Sequence, residues 1–185
     1  MKIFVGLGNP GKEYADTYHN VGFLALEHLM SEKRNGTPPQ AWKKYKSFFE
    51  YAEAKGVIFM RPLTFMNESG RAVREAAKKF KAKPEDLIIL HDDSDLTIGS
   101  YKCSFARNSA GHKGVQSVID ALKTNAFARV RIGIRPARER RRQKAGEFAL
   151  KKITPAHRKI LESVFLEINE EMPVSSRDIH ERHLE

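Results

Sequence analysis

The side chains best suited to chemistry are a histidine, an aspartate and two asparagines. They lie in separate polar clusters: Asn9, His19-Asn20, Thr64-Phe65-Met66-Asn67 and His91-Asp92-Asp93, with Gly111-His112-Lys113-Gly114 as a fifth. A histidine whose ring is oriented by a carboxylate is a general base for water. Here His19 and Asp92 are the candidates; a lone histidine can equally be a cap or a surface residue. Amides such as Asn67 and Asn9 can hold a water or donate to a developing oxyanion. Asn67 can also cap the helix that follows it. No G-x-S-x-G elbow is present, and Cys103 sits in a strand pattern without glycine-rich activation. Water is therefore favoured over an enzyme-bound nucleophile.

Two motifs call for a different chemistry, and neither holds. Gly6-Leu7-Gly8-Asn9-Pro10-Gly11 fits G-x-G-x-x-G after a strand. The dinucleotide fold needs that turn to open straight into a helix. Here the helical pattern starts only near Val21, and Asn9-Pro10-Gly11 is turn chemistry. The alternation of Asp92, Asp93 and Asp95 resembles the start of a calcium loop. No Gly follows at the sixth position and no Glu at the twelfth, so no metal is expected. Asp93 and Asp95 suit a turn instead. Gly111 to Gly114 opens a helix whose first backbone amides could receive an oxyanion or a phosphate.

These residues need a scaffold, and the pattern supplies an α/β one. Residues 2–6, 47–61, 87–90, 98–105 and 129–134 read as strands, the second stretch as a pair joined at Lys55-Gly56. Residues 21–33, 69–80 and 114–123 read as helices, as does the segment after Thr154-Pro155, an N-cap with Pro behind it. The apolar faces are Phe23, Leu24, Leu26 and Met30; Val73, Ala76, Ala77 and Phe80; and Ile160, Leu161, Val164, Phe165 and Ile168. Residues 35–46 read as a loop. Strands and helices interleave, so the fold class is α/β with a central sheet. One domain over 1–185 is expected, with a frayed tail over roughly 172–185. Asn9 and Asp92 are each placed just past the C-terminal end of a strand, the edge where ligands bind in open α/β sheets.

The charge points to a polyanion. Thirty-three Lys and Arg against 23 Asp and Glu give a net +10 over 185 residues. Residues 129–144 (RVRIGIRPARERRRQK) carry +7 of it. That block suggests a phosphate surface, with a solvated loop as the plain alternative. One Cys rules out a disulfide framework and a cysteine zinc site. No apolar run approaches a membrane span, and the N-terminus lacks a signal-peptide stretch. A cytoplasmic protein with no membrane partner is expected, and a monomer.

Five stretches together resemble the bacterial peptidyl-tRNA hydrolases. They are GLGNPGKEYADTYHNVGF (6–23), RPLTFMNESGRAV (61–73), LHDDSDLTIGSYK (90–102), GHKGVQSVID (111–120) and RVRIGIRP (129–136), in the family's order and spacing. The resemblance covers roughly residues 1–165. It implies one α/β domain with a mixed twisted central sheet flanked by helices. It implies hydrolysis of the ester joining a peptide to the 3′ ribose of tRNA, with the acceptor stem and 3′ end bound and no cofactor. Residue by residue, it implies that His19 is the catalytic base, Asp92 orients it, and Asn67 helps hold the water and substrate. It implies that Asn9 binds the peptide's terminal unit, with Tyr14, Met66, His112 and Lys113 along the substrate cleft. Arg131 matches a basic residue that contacts tRNA. Arg135, Arg138, Arg140, Arg141 and Arg142 extend the same basic block.

The sequence departs from the family at four places. Lys113 stands where the family carries Asn, which contacts the peptide; a Lys cannot accept a hydrogen bond but can face an oxyanion as a cation. Tyr18 stands where many relatives have Arg. The expected glycine of G-I-G-R-P is missing, leaving Gly133-Ile134-Arg135-Pro136, and the last twenty residues match poorly. Two alternatives follow. One is a non-catalytic RNA-binding relative, motivated by Lys113 and the basic block. The other is a hydrolase of some different ester or amide that ignores the tRNA.

Overall fold

The computed structural model describes residues 1–31, 41–54, 56–137 and 145–171. Seven strands form one sheet in the order β2-β3-β4-β1-β5-β7-β6. They are β1 (Lys2–Gly6), β2 (Lys43–Tyr45), β3 (Phe49–Ala54), β4 (Val57–Pro62), β5 (Leu87–Thr97), β6 (Tyr101–Phe105) and β7 (Ala128–Arg135). The helices are α1 (Val21–Ser31), α2 (Ser69–Phe80), α3 (Lys113–Leu122), α4 (Ala145–Ala149) and α5 (Pro155–Glu171). The mixed α/β architecture is the expected one.

The parallel centre of the sheet matters most for function. β4, β1, β5 and β7 run parallel to one another, while β2, β3 and β6 are antiparallel additions at the edges. Four parallel strands end on one edge, and the loops that leave them share that edge. Parallel strands are buried on both faces, which is why Ile3-Phe4-Val5 and Leu87-Ile88-Ile89-Leu90 are continuous apolar runs. One face packs Val21, Ala25, Leu26 and Leu29 of α1 and Leu161, Val164, Phe165 and Ile168 of α5. The other packs Ala72, Val73 and Ala76 of α2 and Val115 and Val118 of α3.

Close backbone approach sets the position of α1. A Cβ on Gly22 would strike the carbonyl oxygen of Leu90 and lie 2.6 Å from that of Leu7. The start of α1 is thereby pressed against the ends of β1 and β5. The turn just before it, which carries His19, is set on the same edge.

Several expectations need adjustment. β5 continues to Thr97, so Asp92 lies within the strand rather than past its end. Its polar second half, His91 to Asp95, disguises the strand; pairing with β7 continues through Asp93↔Gly133 and resumes at Thr97↔Arg135 after an irregularity. The strand expected over 98–105 starts at Tyr101, after a turn in which Ser100 N–H and hydroxyl both donate to the Thr97 carbonyl. Lys43–Tyr45, within the expected loop, pairs with β3 as an edge strand. Ile160 is 39% exposed, unlike its neighbours on α5. The tail over 172–185 lies outside the described residues, as do Arg138, Arg140, Arg141 and Arg142.

Candidate active site

An open cleft of about 680 Å³ lies at the shared edge, lined by Asn9, Tyr14, His19, Met66, Asn67, Asp92, His112, Lys113 and Arg131 among others. Each of these was singled out in the sequence. They reach the cleft from six parts of the fold. Asn9 follows β1, and Met66 and Asn67 follow β4 in a short 3₁₀ turn (Met66–Glu68). Asp92 and Arg131 project from β5 and β7. His19 comes from the 3₁₀ turn Tyr18–Asn20 before α1, and His112 caps α3.

Asp92 is the centre of the hydrogen-bond network. Its Oδ1 lies 2.8 Å from His19 Nδ1 and 2.8 Å from His112 Nε2. The tautomers follow from the partners. His112 Nδ1 accepts from the backbone N–H of Val115 at 3.2 Å, so the ring proton sits on Nε2 and is donated to Asp92. A carboxylate only accepts, so His19 likewise donates from Nδ1. Its other nitrogen, Nε2, then carries the lone pair. Burial alone would raise the Asp92 pKa, but His112 first and His19 second hold it well below the usual carboxylate range. Asp92 is a carboxylate at neutral pH.

His91 forms a third ring in this cluster. It stands 4.6 Å from the His112 ring, edge to face, and its Nδ1 donates to the Asp92 backbone carbonyl at 2.7 Å. Burial, then the neighbouring His112, push its pKa well below the ordinary histidine value, so it stays neutral. Its Nε2 is buried with no hydrogen-bond partner among the described residues.

The asparagines divide into a positioned one and a presented one. Asn9 Oδ1 accepts from the backbone N–H of Met66 at 2.8 Å, which ties the loop after β4 to the loop after β1. The Asn9 backbone is gripped by Asn20, whose Oδ1 accepts from Asn9 N–H at 2.8 Å while its Nδ2 donates to the Asn9 carbonyl at 2.9 Å. The Asn9 amide group is left with its N–H donors to offer. Asn67 is exposed on the cleft wall. The cap of α2 falls on Glu68 without a side-chain hydrogen bond, so Asn67 does not serve as that cap. Tyr14 meets Phe65 edge to face at 6.2 Å on the apolar rim.

The starting turn of α3 supplies backbone donors. The amides of Val115 and Gln116 are satisfied by His112, through its side chain and its carbonyl. Those of Lys113 and Gly114 have no acceptor among the described residues. Lys113 itself is exposed at this rim. Of the acidic pair beyond Asp92, Asp93 and Asp95 lie within β5 rather than in the expected turn; Asp93 Oδ1 accepts from Asp95 N–H at 2.8 Å and its Oδ2 takes Arg131 Nε at 2.6 Å. Arg135 is exposed beside Thr97 and stands away from the cleft lining. Burial pushes the Cys103 thiol up to about 11, which suits packing rather than nucleophilic attack.

Ligand atoms of His19, Asp92 and His112 lie within 4.8 Å of one another and could in principle meet a cation. The donor set argues against it. A metal on His112 Nε2 would leave the ring without a proton, because Nδ1 already accepts from Val115 N–H. The hydrogen-bonded arrangement uses all three groups without that penalty.

Sequence reading did not anticipate four features. These are the grip of Asn20 on Asn9, the convergence of two histidines on one Asp92 oxygen, the neutral His91, and the buried Arg129 on the cleft wall. Asn20 follows the candidate base directly, and His112 stands in a glycine-flanked turn; those were the available signals.

Comparisons with known proteins identify the family. The family model described as peptidyl-tRNA hydrolase matches residues 3–184, further than the motifs alone reach. A peptidyl-tRNA hydrolase of Lactobacillus delbrueckii subsp. bulgaricus is 40% identical over 172 residues, covering 92% of this chain and 90% of the relative. One of Aquifex aeolicus is 37% identical over 166 residues, covering 89% and 84%. The crystal structure of peptidyl-tRNA hydrolase from Acinetobacter baumannii superposes with a TM-score of 0.80 at 27% identity, over 92% of this chain and 86% of that one. The chain belongs to the peptidyl-tRNA hydrolase family.

Proposed function

We infer that this chain hydrolyses the ester of peptidyl-tRNA by a water-mediated mechanism in which His19 is the base. The observation that carries the mechanism is Asp92 Oδ1 accepting from both imidazoles at 2.8 Å, which leaves His19 Nε2 as the proton acceptor. His19 Nε2 takes a proton from water, and the resulting hydroxide adds to the ester carbonyl. Asp92 stabilises the imidazolium that forms. The developing oxyanion lies within reach of amide donors, from Asn9, Asn67 or the first turn of α3, with Lys113 as a nearby cation. Collapse expels the 3′ ribose oxygen, which takes the proton back from His19. Free tRNA and free peptide result.

Tyr14 and Met66 form an apolar wall for the peptide, and Arg131 on the cleft wall serves the acceptor stem and 3′ end; Arg135, Arg138, Arg140, Arg141 and Arg142 are assigned to the same tRNA from their charge alone. Every residue in this scheme comes from one chain, so a monomer suffices. The family match over 3–184 supports one domain spanning 1–185. Among the described residues no helix is long and apolar enough to cross a membrane; a cytoplasmic location is proposed from the substrate alone. The test is single-turnover cleavage of a peptidyl-tRNA. His19→Ala should lose at least a hundredfold in rate while tRNA binding survives, and Lys113→Asn should remain active. Near-native turnover by His19→Ala would eliminate His19 as the base. A native chain that binds tRNA and does not cleave would favour the binding-only reading.

A further inference from the structure

His91 touches both Asp92 and His112, yet the reaction scheme above gives it no task. It is 2% exposed and stands on the cleft wall. Leu87 and Ile89, at the same parity along β5, pack on the side of α2 and α3, so the His91 side chain faces α3. It makes two contacts there. Its Nδ1–H donates to the Asp92 carbonyl at 2.7 Å, and its ring meets the His112 ring edge to face at 4.6 Å.

The first contact falls where the sheet stops holding β5. The Leu90 carbonyl accepts from Leu7 N–H, and the register with β1 ends at Gly6↔Leu90. Carbonyls two residues apart on a strand point the same way, so that of Asp92 points past the end of β1. On the other side, the register with β7 breaks after Asp93 and resumes only at Thr97. A buried carbonyl needs a donor, and His91 supplies one where the ladder with β1 has run out. The backbone that carries the Asp92 carboxylate is thereby fixed by the residue before it.

The second contact closes the seat of His112. That ring has His19 at 5.2 Å, and a Cβ on Gly114 would lie 3.1 Å from its Cε1. His91 is its wall on the side of β5. The residue type is informative. His91 Nε2 is a buried acceptor with no partner among the described residues, which costs stability. A phenylalanine would build the same wall without that cost. What it would not supply is the Nδ1–H on Asp92. Burial and the neighbouring His112 keep the ring neutral, so it adds no charge beside His112 and Arg129.

We propose that His91 is a positioning residue, whose Nδ1–H fixes the Asp92 backbone while its ring walls His112, so that both imidazoles meet one Asp92 oxygen. It acts through Asp92 and touches no reacting atom. The proposal rests on the reading of His19 as the base in peptidyl-tRNA hydrolysis.

Two variants of the whole chain separate the contacts. Asparagine places its Nδ2 where histidine has Nδ1, so His91→Asn keeps the donor and gives up the outer ring. His91→Phe keeps a ring and gives up the donor. In single-turnover hydrolysis of a peptidyl-tRNA, His91→Phe should lose about tenfold to a hundredfold in kcat with KM unchanged, the scale of a catalytic group displaced by up to about 1 Å. His91→Asn should recover most of that loss. Long-range proton–nitrogen NMR of the imidazoles reads the cause. His19 should carry its proton on Nδ1 in the native chain and in His91→Asn, and should mix with the Nε2–H tautomer in His91→Phe. Native turnover by His91→Phe would overturn the proposal. So would a loss carried by KM, or an equal loss in both variants, which marks packing alone. If His91→Phe does not fold, His91→Leu removes the same donor and is judged by the same outcomes. The NMR arm needs no substrate. A native chain that cleaves nothing, with His19 tautomers mixed only where the donor is lost, refutes the hydrolase mechanism and leaves His91 as the residue that orients the cluster.

Discussion

Replacing Asp92 by Asn isolates the charge of the network from its geometry. Both imidazole donors meet the same oxygen, Oδ1, at 2.8 Å, and no described donor meets Oδ2. An asparagine can place its carbonyl oxygen at the Oδ1 position and keep both hydrogen bonds and both tautomers. What is lost is the negative charge that favours the His19 imidazolium in the transition state. Two unit charges about 4 Å apart attract by about 4 kcal/mol at an effective dielectric of about 20. Weakening a charge-assisted hydrogen bond to a neutral one removes about 1–1.5 kcal/mol. These bounds correspond to about tenfold and about a thousandfold. We expect a fall in kcat of about 10–10³, with KM almost unchanged. An Asn substitution that turns the histidine to the wrong tautomer costs about 10⁴ in a serine-protease triad; the loss here should be smaller because the second donor, His112, holds the amide oxygen in place. The assay is single-turnover hydrolysis at saturating enzyme, with thermal melting to verify the fold. A loss below threefold, or one carried wholly by KM, would refute the assignment of Asp92 as the support of the base.

Three further outcomes follow from other parts of the molecule. His91 is held neutral in the fold, below its ordinary value, so the unfolded chain binds a proton that the folded one refuses. Its contribution is therefore complete above about pH 6.5 and is lost as pH falls below that, at up to about 1.4 kcal/mol per pH unit; urea midpoints should fall less steeply with acid in His91→Gln, and an unchanged slope would show that His91 is not the group. Gly70→Ala should cost about 1–3 kcal/mol or more, because the added Cβ strikes the Ser117 carbonyl oxygen and lies 2.8 Å from Ala121 Cβ between α2 and α3; a native-like urea midpoint would show that the helix pair can spread freely. Neutralising Arg140, Arg141 and Arg142 together should reduce the log–log salt slope of tRNA binding by about 0.7–0.9 for each phosphate no longer neutralised; an unchanged slope would make that segment a solvated loop.

Much of the site was legible because the sheet rule is strong. Apolar runs at 2–6 and 87–90 identify buried parallel strands, and such strands bring their following loops to one edge. That placed Asn9 and Asp92 together across a wide gap in sequence. Other parts were hidden for physical reasons. Asp92 reads as a residue beyond a strand because the second half of β5 is polar, and polarity there serves the cleft rather than solvent. His112 reads as part of a flexible helix start, whereas its side chain caps the helix with one nitrogen and serves Asp92 with the other. Arg129 and Arg131 look alike in the sequence, two arginines at strand spacing. Only the depth of each and the prior commitment of Asp93 separate them, and both are tertiary facts. Tyr18 reads as part of a polar turn, yet it is fully covered, stacked on Phe148 at 4.6 Å.

That buried tyrosine explains how the proposed base, on a short turn, can be held still. His19 has no helix or strand of its own to fix its backbone. On one side, Asn20 is bound to the Asn9 loop by two hydrogen bonds. On the other, Tyr18 N–H donates to the Lys151 carbonyl, and its hydroxyl lies 2.5 Å from His157 Nδ1 on α5. Thr17 pairs with Lys152, whose ammonium donates to the carbonyls of Glu13 and Ala15. The turn is thus braced from the sheet edge and from the C-terminal segment at once, with His19 between the two supports. Orientation of a base within a fraction of an ångström is a condition for rapid proton transfer, and a loop achieves it only when neighbouring elements lock it. The Tyr18 position is filled by an aromatic ring that seals the turn against α4 and α5. The rigidity of the turn that carries His19 therefore depends on a segment outside the cleft lining, and under the proposed mechanism α5 is part of the apparatus that aims the base.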